Sequence, residues 1–176
     1  MKSKAQIRSH PIHPMLVAFP IASLTGTLAF DAVGVLTGWQ DWVATGRFLN
    51  VAGIASGLIA AVPGLIDYLG VVPPHSSAGA RATRHMLVNV SALACFALAW
   101  LFRGPDGTPG LGTIALDAVG LGLLTTGGWL GGTLVYRNQI GVDHRYARAG
   151  KWRELAVEAQ PGQPVAVARA DELEVD

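Results

Sequence analysis

Charge is what this sequence has least of. Only 14% of its 176 residues are Asp, Glu, Lys or Arg, against about a quarter in a soluble domain. A single cysteine, Cys95, excludes a disulfide framework and any Cys-rich zinc or iron–sulfur centre built by this chain alone. No excess of basic residues marks a nucleic-acid binder, since the net charge is only +1. Phosphate loop, dinucleotide fingerprint, zinc-protease motif and nucleophile elbow are all missing. An electron-transfer or binding protein therefore fits better than a stand-alone enzyme. What the chain has instead is apolar length: 51% of it is hydrophobic and its mean hydropathy is +0.38.

Uncharged windows locate four spans, about 15–38, 48–72, 85–102 and 113–136, each near the ~20 residues needed to cross a bilayer as helix. No polar face recurs at helical spacing, so a soluble helical bundle is a poor alternative. The fold class expected is all-α: an integral membrane up-down-up-down four-helix bundle, the short links making sequential helices antiparallel neighbours. A cytoplasmic N-terminal segment (1–14) precedes the membrane domain (15–143), and a cytoplasmic tail (144–176) follows it. The basic start lacks a convincing cleavage site, so the first span reads as retained rather than as a signal peptide.

Eleven of the thirteen basic residues fall on the side of the termini, leaving Arg47 and Arg103 on the other. The positive-inside rule then puts both termini in the cytoplasm of an inner-membrane protein. Trp39 and Trp42, with Trp100 close by, mark the far interface, and Tyr68 and Tyr136 the near one. Small residues four apart prepare close helix contacts: Ala18, Ala22 and Gly26; Gly53 and Gly57; Gly127 with Gly131 and Gly128 with Gly132. Pro20 and Pro63 lie inside spans and should kink them. The segments Ala29–Gly34 and Ala115–Gly120 echo each other and hint at duplication.

All five histidines share the cytoplasmic side. In His10-Pro-Ile-His-Pro14 the prolines favour extended backbone. A polyproline helix would set His10 and His13 on one face, about 9 Å apart. Asp67, His85 and Asn89 lie at the same depth, and an ionisable residue inside a membrane is a functional candidate by default. Two sites follow. A haem b would take His13 and His85 as axial ligands, with Asn89 beside His85 and with Arg81 and Arg84 on the propionates. A divalent metal ion would take His10, His13, Asp67 and His85. Convergence of His13, His85 and Asp67 is the sharpest expectation. Asp31 and Asp117, near the far interface, read as structural or as a proton relay. Trp129 walls a glycine-lined pocket or simply packs. The alternatives are an ion, proton or small-solute transport subunit using Asp31, Asp67 and Asp117 as a polar path, and a membrane anchor without chemistry.

The segments 10–21 (HPIHPMLVAFPI), 61–68 (AVPGLIDY), 84–89 (RHMLVN), 128–136 (GWLGGTLVY) and 141–143 (GVD) resemble, in order and spacing, a bacterial and archaeal membrane family known as domain of unknown function 2231. The resemblance covers 9–143 and implies four spans, with no established reaction. Some relatives of this kind are joined to, or encoded near, Rieske iron–sulfur domains. Here 152–156 (WRELA) and 161–169 (PGQPVAVAR) are similar to the start of such a domain, without the Cys and His pairs of its cluster. The partners implied are thus the lipid bilayer, a Rieske-type or other redox protein and a further copy of the chain, with no nucleic acid.

Overall fold

A computed structural model describes residues 2–142. The tail, with His144, Asp143 and the Rieske-like segments, lies outside the described residues. A two-stranded hairpin, β1 (Gln6–Ile7) and β2 (His10–Pro11), opens the chain. Arg8 and Ser9 join the strands with positive φ of 47° and 69°, the backbone of a primed two-residue turn. Helices α1 (Ile12–Leu16), α2 (Ala18–Thr37), α3 (Gln40–Gly70), α4 (Ser77–Leu101) and α5 (Leu111–Tyr136) follow. The first two form one span, so four helices are long and apolar enough to cross a membrane. Only 17% to 22% of the most apolar window of each span is buried inside the protein. Side chains such as Leu36, Leu58, Val90 and Trp129 point outward, a surface suited to lipid rather than water. This is a membrane protein.

The elements begin and end for local reasons. Pro20 has no N–H for the carbonyl of Leu16, and the first span breaks there into α1 and α2. Gly38 closes α2 in the left-handed region (φ 72°), the usual helix stop. Residues 40–46, left between the first two expected spans, are instead the first two turns of α3, with Asp41 in the opening turn, where a carboxylate suits the helix dipole. Counting uncharged residues misses such turns, because a charged residue at a helix end costs little. In the same way α4 starts well before His85. Ser76 caps it by accepting from the amide of Gly79 at 2.9 Å.

Two antiparallel hairpins, α1/α2 with α3 and α4 with α5, make the bundle. Along the first, His13 abuts Gly64, Leu24 abuts Gly53 and Asp31 abuts Gly46, so each advance on one helix is a retreat on the other. Along the second, His85 abuts Gly131 and Phe96 abuts Gly120. A Cβ on Gly57 would sit 2.8 Å from Leu93, and one on Gly120 2.8 Å from Phe96. Glycine is therefore what lets these helices touch. Gly128 and Gly132, by contrast, face open space.

These contacts reveal a repeat. His13 to Leu24 has the spacing of His85 to Phe96, and Gly53 to Gly64 that of Gly120 to Gly131. Carried along the same register, Asp31 matches Arg103 and Asn50 matches Asp117. The Ala29–Gly34 echo is therefore not this repeat, since it aligns Asp31 with Asp117 on helices that the contacts do not equate. Leu24, Ala92, Phe96 and Leu124 pack together as the buried core. Two matched pairs, His13 with His85 and Asp31 with Arg103, meet at opposite ends of that core.

Candidate functional site

At the end carrying the chain's start, α1 begins at Ile12 with Pro11 before it in extended conformation. The polyproline reading of 10–14 is therefore corrected. Pro14 falls in the first helical turn, where no N–H is needed, so the chain enters helix early. His10 stays on β2, exposed, its Nδ1 3.0 Å from the carbonyl of Arg8, and His13 turns inward alone.

His13 and His85 come together. Their ring centroids are 6.2 Å apart with planes at 87°. The His13 Nδ1 is 2.8 Å from the carbonyl of Ala60, and the His85 Nδ1 is 2.8 Å from the carbonyl of Gly127. A carbonyl only accepts, so both Nδ1 atoms are donors and both neutral rings keep a lone pair on Nε2. The two arrangements repeat each other: carbonyl at Ala60 or Gly127, glycine four residues on. A Cβ on Gly64 would lie 2.9 Å from the His13 ring, and one on Gly131 2.9 Å from the His85 ring. Asn89 donates to the His85 carbonyl at 2.7 Å and lies against Gly127, filling the space beneath the ring. Sequence reasoning noted Gly127 and Gly131 for packing only. Spacing gave no signal that Gly64, Ala60 and their carbonyls seat the histidines.

Asp67 is elsewhere employed. Its Oδ2 accepts from Ser3 Oγ at 2.6 Å, and its Oδ1 accepts from the amides of Lys4 and Ala5 at 2.8 and 3.1 Å. The carboxylate fastens the N-terminal segment to the end of α3. This corrects the expectation that Asp67 joins the histidines. Among the described residues no three His, Cys, Asp or Glu side chains could hold a metal together. The four-residue metal set His10, His13, Asp67 and His85 thus reduces to a histidine pair. Arg81 is bonded to Asn138, and Tyr68 hydrogen-bonds Thr83 at 2.8 Å between α3 and α4. At the same end, an apolar cavity of about 340 Å³ is lined by His10, Pro14, Met15, Val135 and Ile140.

The opposite end holds Asp31, Asp117 and Asn50, all fully buried. Arg103 forms a two-pronged ion pair with Asp31, with Nη1 to Oδ1 at 3.1 Å, and its side chain is 3% exposed. Between the two ends stands the apolar plug of Leu24, Phe96 and Leu124. Among the described residues the three aspartates therefore form no continuous polar path. Trp129 is 79% exposed and points outward.

The family model described as DUF2231, predicted membrane protein, matches residues 9–144. No curated protein and no solved structure matches the chain. With four apolar spans on the page and the match running across all of them, the chain belongs to the DUF2231 family of predicted membrane proteins.

Proposed function

We propose that this protein binds one haem through His13 and His85 and carries electrons in the inner membrane, with the histidine end facing the cytoplasm. The observation that supports this most is the paired seating of the two rings. In metal sites a ligating histidine usually gives its other N–H to a carbonyl or carboxylate, which fixes the ring and its tautomer. Both histidines have that anchor. With the ring centroids 6.2 Å apart, the two Nε2 lone pairs would be available to one haem iron.

The donor set favours haem over a bare ion. A divalent ion in a protein commonly takes four or more ligands, and here the described residues offer two. A haem brings four nitrogens of its own, so His13 and His85 would suffice to hold it. An apolar cavity lined by His10, Pro14 and Val135 opens at the same end of the protein and would offer room for part of the macrocycle. Arg84, exposed at this end, would serve one propionate. Arg81 would have to exchange Asn138 for the second. When bound, the haem supplies one-electron chemistry, and the chain supplies ring orientation and an apolar surround. An iron–sulfur partner of the Rieske kind, docking at the basic cytoplasmic face, would exchange the electron.

The test is an absorption spectrum with metal analysis of protein purified in mild detergent after expression with added haem. The expected result is a Soret band that disappears in His13→Ala and in His85→Ala and persists in Asp67→Asn. A native protein without that band overturns the haem reading. Metal bound in its absence would replace it with an ion site, and neither would leave a membrane anchor.

A further inference from the structure

We propose that the far end of the bundle is a proton-binding site: Asp31 and Asp117 share one proton beside Arg103. The three groups come from different elements, α2, α5 and the loop after α4. Both oxygens of Asp31 take guanidinium N–H groups of Arg103, so that pair is electrically complete. Asp117 is also fully buried, and neither of its oxygens receives a hydrogen bond. Asp31 and Arg103 are the charged groups that act on it.

Charge balance points to the proton. Two carboxylates and one guanidinium would leave a net negative charge in a dry, apolar surround, which is strongly unfavourable. The remaining cation of this end, Arg47 on α3, is turned to Gly107 and the Phe48 ring. A carboxylic acid at Asp117 resolves both problems. It removes the unbalanced charge and supplies the O–H donor that Asp31 accepts. Two carboxyl groups in contact beside one cation share a proton for the same reason in other proteins.

The repeat gives an independent argument. Asn50 occupies the place in α3 that Asp117 occupies in α5, and it too is fully buried. Its amide donates to the carbonyl of Phe96 at 3.3 Å. A neutral group of the same shape as a protonated aspartate is thus what the other hairpin holds at this position. The ligand of the site is a hydrogen ion, gained or lost as the charge around Arg103 changes.

Infrared spectroscopy of the full chain in lipid tests this directly. Native protein at neutral pH should show the carbonyl-stretch band of a protonated carboxylic acid, shifted when the protein is made with isotope-labelled aspartate. That labelling needs no variant, so it stands whether or not substitutions fold. Asp117→Asn should abolish the band, and so should Asp31→Asn, because one carboxylate and Arg103 then suffice as an ion pair. Asp67→Asn should retain it. Absence of a labelled band in native protein overturns the proposal, as does a band that survives Asp117→Asn.

Discussion

At the residue scale, two pairs of matched side chains join the hairpins, His13 with His85 and Asp31 with Arg103. The ion pair is fully desolvated on the carboxylate side. Removing one partner of such a pair leaves an uncompensated buried charge and costs about 3–5 kcal/mol. Arg103→Ala is expected to lower the unfolding temperature in detergent sharply, and replacement of both members by apolar residues should recover much of the loss. A double-mutant cycle followed by thermal unfolding checks it, and a mild single-mutant effect would contradict it. The sequence made these residues visible as exceptions: a lone aspartate in an apolar run and a histidine at a span mouth both stand out. It did not show which charge meets which. The far end offered two cations, and choosing Arg103 over Arg47 depends on how the loop from Arg103 to Gly110 folds back, with Gly107 in a positive-φ turn.

Asp67 shows the opposite failure at the same scale. Depth in the membrane made it a ligand candidate, yet three donors from Ser3, Lys4 and Ala5 consume it. Those donors lie just ahead of a hairpin that a five-residue pattern of histidines and prolines disguised. Asp67→Ala should release the N-terminal segment, seen as faster protease cleavage within the first ten residues while the four spans stay folded.

At the element scale, helix existence was legible from hydropathy and helix ends were not. The start of α3 carries Asp41 and Arg47, so an uncharged window begins too late, and the Ser76 cap of α4 sits among loop-like small residues. Ser76→Ala is expected to cost about 1 kcal/mol, the usual worth of an N-cap. The glycine stripes divide more finely than spacing alone can tell. Gly53 faces Leu24 too closely to admit a Cβ, whereas nothing lies near Gly128. Gly53→Val should therefore destabilise by about 1–3 kcal/mol through overpacking, and Gly128→Ala should leave the monomer unchanged. Denaturation of the two variants side by side in detergent compares them, and equal effects would contradict the packing described.

At the scale of the whole molecule, few charges and one cysteine pointed to a bilayer, and the four spans and the family match agree. The eleven-to-two split of basic residues predicts that a tag at the N-terminus and one after Tyr136 are both inaccessible from outside intact cells, and that one inserted at Gly107 is accessible. The internal repeat was beyond sequence reading, because it rests on which side chains occupy matched depths rather than on letters in common. That repeat brings His13 and His85 together and gives the account its central claim. Low-temperature electron paramagnetic resonance of the purified, oxidised native protein is the most direct test. The account predicts the low-spin ferric signal of haem with two imidazole ligands, converted to high-spin or lost when either His13 or His85 becomes alanine. A native protein loaded with haem but giving a high-spin signal, or a low-spin signal indifferent to both substitutions, would contradict it.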